Sequence, residues 1–191
     1  MRFSTGTDRV EAFTDRVLAV ILVIMVFQLR APQGTEPRSL LPTLPAIATF
    51  ALSFILIGIY WNNYHHMLRA SRGVDDRARW ANLHLLFWLS LVPFATAWLG
   101  QNLMAVAPTV VYTLVLLFCA LAYEILRQSL LRVNSIDAPF ASAVDIDIQG
   151  LPIVLYVVAM YTAFVSPIVA DIFLIAAAGL LLFPRIGPSS H

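Results

Sequence analysis

The side chains in this chain that could do chemistry are few: Asp15 beside Arg16, His65 beside His66, then His84, Glu124, the group Asp145, Asp147 and Gln149, and a lone Asp171. Two histidines and a carboxylate could suggest a metal site or a membrane redox enzyme. Adjacent histidines on a helix point ~100° apart, however, and rarely share one ion. Enzymatic machinery is also missing, with no H-E-x-x-H, no G-x-S-x-G and no paired aspartates within an apolar run. A proton-coupled carrier would want inverted repeats and Gly- or Pro-broken helices, and only Pro93 is suggestive. The expectation is therefore no catalytic residue, no metal and no cofactor. What fits best is hydrogen bonding. An ionised Asp15 facing protein needs donors, and Trp61, Asn62 and one of His65 or His66 are the nearest in depth.

The elements that must position these residues follow from composition. The chain has 191 residues, 60% hydrophobic and only 12% charged, with mean hydropathy +0.81, so its solvent is lipid. All twelve basic residues are Arg and they nearly balance eleven acidic ones. No basic stripe exists for nucleic acid. Cys119 stands alone in an apolar run and reads as a small buried hydrophobe. A span needs ~20 mostly apolar residues, and punctuation by Pro, Gly and charge divides the sequence into six such stretches.

These predict an all-α membrane protein, one six-helix unit over residues 1–191 with helices at about 9–29, 44–69, 80–99, 108–131, 151–165 and 169–183. Asp8 and Glu11 form a D-x-x-E capping arrangement before the first, and Pro93 predicts a kink in the third. The last two are short and call for tilt or local thinning. Asp15 and Arg16 interrupt the entry to the run Val17 to Leu29, and no small-x-small site follows, so the segment is read as a mature helix and not a signal peptide. Arg2 and Arg9 precede helix 1, Arg69, Arg72, Arg77 and Arg79 surround the loop after helix 2, Arg127 and Arg132 follow helix 4, and Arg185 follows helix 6. The positive-inside rule then puts both termini in the cytoplasm, with Arg30 and Arg38 outside. Glu124, His84, Asp145 and Asp147 fall at inner helix ends and read as snorkelling groups. Asp171 reads as a helix-start carboxylate favourable to the macrodipole.

The first helix is more specific. R-V-E-A-F-T-D at Arg9 to Asp15, followed by the apolar run to Leu29, resembles the R-x-x-x-F-S-D signature that opens the transmembrane protein 175 family of potassium-permeable channels. The segment from Ser53 to Leu68, S-F-I-L-I-G-I-Y-W-N-N-Y-H-H-M-L, is similar to that family's Trp-Asn-His-rich second helix, and Leu83 to Phe94 to its third. The resemblance covers residues 9 to 100 by motif and the remainder by hydropathy.

It implies a prokaryotic single-repeat subunit in the plasma membrane, assembling as a homotetramer in the bilayer and passing monovalent cations, potassium among them. It implies that four copies of helix 1 line the pore and that Val20, Ile24 and Phe27 constrict it in place of a carbonyl filter. Arg9, Phe13, Thr14 and Asp15 would secure helix 1 to its neighbours. Positions i, i+4 and i+7 fall within about 60° on a helix, so these three can share one axis, while Asp15 sits about 140° from Val20. An apolar ring cannot replace an ion's hydration shell and gates by dewetting. Thr109-Val110-Val111-Tyr112-Thr113 lacks the glycine of a T-V-G-Y-G filter and reads as ordinary helix.

This sequence departs from the family pattern at several places. Thr14 replaces the usual Ser and keeps the hydroxyl. Val23 stands where Thr is common, a hydroxyl associated with potassium preference, which makes Val23 a selectivity-modulating position. Phe27 is bulkier than the usual Leu, and Tyr64 takes the place of a frequent histidine, leaving His65 and His66 for the network. Arg16 would repel cations if it pointed into the pore mouth.

Overall fold

The structure, a computed structural model, describes residues 6–71, 73–133 and 150–182. Arg2, Arg72, Asp145, Asp147, Gln149 and Arg185, read above from charge, lie outside them, as does Phe183. The architecture is all-α. Among the described residues six α-helices run in order: α1 Gly6–Phe27, α2 Leu44–Ala70, α3 Asp76–Gln101, α4 Val106–Val133, α5 Gly150–Ala163 and α6 Pro167–Leu182, with a 3-10 turn, Pro37–Thr43, leading into α2.

Among the described residues three stretches, Pro37–Arg69, Asp76–Gln101 and Val106–Val133, are long and apolar enough to cross a membrane, while the apolar parts of α5 and α6, Pro152–Ala163 and Pro167–Leu180, are shorter. Helix α1 carries Glu11, Asp15 and Arg16 in its first half.

Local chemistry accounts for the boundaries. The Asp75 carboxylate accepts the Ala78 N–H at 2.8 Å and caps α3. The helix thus opens at Asp76 and not near Trp80, and the loop charges Arg77 and Arg79 become its first turn. Pro93 lies inside α3, which continues through it to Gln101. Helix α1 begins at Gly6, so Asp8 sits in its first turn and does not cap it.

Helix α3 packs most extensively on α4 and α5 on α6, while α1 rests on α2 and α3 alone among the closer pairings. Trp88 stacks on Phe118 with ring centroids 4.3 Å apart, and Tyr60 meets Tyr123 edge-on. Where α2 crosses α3 the backbones nearly touch. A Cβ placed on Gly100 would lie 2.8 Å from Ala46 Cα. Deeper in the bundle Thr96 donates to Ser53 Oγ at 2.8 Å, and Ser53 shares a 2.9 Å hydrogen bond with the Tyr112 hydroxyl. That buried chain joins α3, α2 and α4.

Candidate functional site

One stripe of α1 is buried: Thr7, Thr14, Leu18, Ile21 and Met25. The spacing follows the 3.6-residue turn and turns this stripe toward α2 and α3. Across the helix, Val20, Val23, Ile24 and Phe27 are 57%, 54%, 44% and 83% exposed. Their side chains meet nothing of comparable extent within the subunit.

Thr14 is the anchor of the buried stripe. Its hydroxyl, 1% exposed, shares a 2.9 Å hydrogen bond with the Tyr64 hydroxyl of α2 and accepts another, also 2.9 Å, from Asn82 Nδ2 of α3. Three helices therefore meet at one oxygen. A polar group in such a place is costly without partners, and here it has two.

Beside it, Trp61 Nε1 donates to Asp15 Oδ1 at 3.0 Å. His65 stacks on Trp61 with centroids 5.7 Å apart, and its Nδ1 approaches Glu11 Oε1 to 2.5 Å. That approach is a close contact and not an aligned hydrogen bond. Glu11 and Asp15 are one turn apart on α1, Trp61 and His65 one turn apart on α2, and the two pairs face each other.

The expected network is thus brought together in part. Asp15 is bonded to Trp61, and His65 stacks on Trp61. Asn62 and His66 are exposed and make no hydrogen bond among the described residues. Their place is taken by Tyr64, Asn82 and Glu11, which sequence reasoning had not assigned. Arg9 and Phe13 are exposed on α1 and line a cleft of about 400 Å³ with Arg79, Asn82 and Leu83. Arg16 is exposed as well.

The remaining polar groups have local partners. Arg127 clasps Glu124 through Nε and Nη2 at 2.7 and 2.6 Å, and Gln128 adds a 2.9 Å bond. Glu124 is accordingly a paired carboxylate and not a free snorkelling one. Trp88 Nε1 donates to His84 Nε2 at 2.9 Å. Among the described residues, no group of three His, Cys, Asp or Glu side chains is placed to hold a metal ion.

An anchored first helix with a bare apolar face invites comparison with known proteins. The family model described as endosomal/lysosomal potassium channel TMEM175 matches residues 9–93. A protein named as a potassium channel in Chryseobacterium sp. (strain P1-3) is 40% identical over 177 residues, 92% of each chain. The chain belongs to the TMEM175 family.

A Streptomyces collinus relative, also named a potassium channel, is 32% identical over 73% of this chain and 74% of its own. The crystal structure of a lysosomal potassium-selective channel TMEM175 homolog from Chamaesiphon minutus superposes with a TM-score of 0.77 at 26% identity, covering 92% of this chain and 96% of that one. The TMEM175 match begins at Arg9, the first residue of the R-x-x-x-F-T-D motif. In this TMEM175 member, Thr14 and Asp15 of that motif, together with Glu11 inside it, tie α1 to α2 and α3.

Proposed function

We propose that the chain is the subunit of a potassium-permeable cation channel in the bacterial plasma membrane. Four copies surround one axis, each a single unit of six membrane-crossing helices over residues 1–191, with both termini cytoplasmic. Helix α1 lines the pore. Val20, Ile24 and Phe27 constrict it, Val23 tunes which cation passes, and the Thr14 and Asp15 contacts hold α1 at a set angle to α2 and α3. The permeant ion needs no cofactor.

The observation that carries this reading is the one-sided burial of α1, with Val20, Ile24 and Phe27 left open on the face away from the subunit's core. Lipid could cover such a face, but Arg16 lies on its side of α1, and Glu11 and Asp15 on the α2 side further interrupt the first half of the helix as an apolar span. A helix shared between protein and a water-filled mouth suits those charges better. The family membership and the named channel relatives point the same way. Helices α5 and α6 cross by tilting or by thinning the bilayer around them.

Potassium efflux from liposomes containing the purified protein tests the proposal. Efflux is expected, and its absence at every applied potential would falsify the channel reading. Replacing Ile24 with Asn puts a hydrogen-bonding group where dewetting is proposed, so Ile24→Asn raises the flux or loosens potassium preference. An unchanged flux would remove Ile24 from the constriction.

A further inference from the structure

Asp171 lies one turn inside α6 and not at its start. Pro167 opens the helix, and the Ser166 carbonyl accepts the N–H groups of Val169 and Ala170 at 3.1 and 3.2 Å. The unpaired N–H groups that favour a carboxylate end before Asp171, which revises its reading as a helix-start carboxylate. The side chain is half-buried, and among the described residues it has no cation and no hydrogen-bond donor.

It borders a cleft of about 230 Å³ between α6, α2 and the α3–α4 junction. Leu52, Leu99, Leu174 and Ile175 supply apolar walls. The polar side chains there besides Asp171 are already engaged: Thr49 donates to the Pro45 carbonyl at 3.0 Å, and the Tyr112 hydroxyl is bonded to Ser53. Among the described residues, Asp171 is left as the polar side chain of the cleft without a partner.

A lone carboxylate among apolar walls in a membrane protein calls for a cation. One carboxylate is too sparse a ligand set for a calcium or magnesium ion. An organic ammonium carried on an apolar body matches both the charge and the walls. Alongside Asp171, the exposed Ile168, Ile172 and Ile175 form an i, i+4, i+7 strip on α6 along which an acyl chain can lie.

We propose that this cleft binds the primary ammonium headgroup of an ethanolamine phospholipid, with Asp171 as its counter-ion. The leaflet is the outer one if the topology proposed above holds, and the site is independent of whether the protein conducts. A primary ammonium donates hydrogen bonds to the carboxylate, a choline headgroup has no N–H to donate, and a glycerol headgroup has no positive charge.

Native mass spectrometry of the full chain in detergent tests it with phosphatidylethanolamine, phosphatidylcholine and phosphatidylglycerol of equal chain length. The unaltered protein is expected to retain the ethanolamine lipid roughly tenfold over the other two. Asp171→Asn brings the three lipids to parity, while Asp171→Glu keeps the preference. Equal retention of the glycerol lipid by the unaltered chain overturns the proposal, as does a preference that survives Asp171→Asn. Binding of dodecylamine without binding of the ethanolamine lipid also overturns it, in favour of a site for free amines. The three-lipid comparison needs no variant, so a substitution that fails to fold leaves the test intact.

Discussion

Thr14 is the residue on which the position of α1 most depends. Its oxygen serves Tyr64 and Asn82 at once, so Thr14→Val, which keeps the shape, leaves two buried polar groups without that partner. A loss of about 1–3 kcal/mol is expected, measured as a lowered thermal midpoint in detergent. Thr14→Ser, which retains the hydroxyl, should lose markedly less. Equal losses for Val and Ser would show that the methyl group matters and the hydrogen bonds do not. Trp61→Phe removes the bond to Asp15 at a 44% exposed side chain, where water can replace it, so its effect should be smaller than that of Thr14→Val. At this scale the Trp61 bond to Asp15 was legible, because an ionised carboxylate facing protein needs donors, whereas Arg9 and Phe13 stay exposed. Tyr64 was not legible. Residues 64, 65 and 66 fan out by ~100° each on a helix, and only the packed rotation of α2 decides which one reaches Thr14.

Among the elements, the crossing of α2 and α3 makes the sharpest prediction. Gly100→Ala pushes a Cβ to 2.8 Å from the Ala46 backbone, and backbone cannot rotate aside as a flexible side chain can. The helices must part, at a cost of about 1–3 kcal/mol. Gly58 offers the contrast. Nothing lies within 4 Å of a Cβ there, so Gly58→Ala should leave the melting point unchanged or raise it through helix propensity worth roughly 0.5–1 kcal/mol. A melt of both variants settles the point, and a Gly100→Ala protein as stable as the parent would mean that the crossing is looser than drawn. The all-α character was legible, since apolar runs and their Pro, Gly and charged punctuation survive without tertiary knowledge. The start of α3 was misjudged because Arg77 and Arg79 look like loop residues until Asp75 is seen to cap them.

For the whole molecule, the first measurement is mass. The proposed tetramer predicts a particle close to four times the 21.2 kDa of one chain, by light scattering corrected for detergent. A monodisperse monomer would remove the axis that α1 is proposed to line. Apolar composition could not have foretold which side of α1 is left open, because in a bilayer the surfaces toward lipid and toward protein are both apolar. Leu18 and Val20 are equally hydrophobic choices in the sequence. One is 4% exposed and the other 57%.

That difference between Leu18 and Val20 has an evolutionary reach. Five residues of α1 form its buried stripe, and folding constrains that stripe, whereas the opposite side answers only to what passes or docks there. In the proposed channel, a lineage can exchange Val20, Val23, Ile24 or Phe27 and try a new permeation behaviour while the subunit still assembles its core. Thr14 has no such freedom. Variation along this one helix should therefore be strongly periodic, with tolerance and constraint alternating as the chain turns.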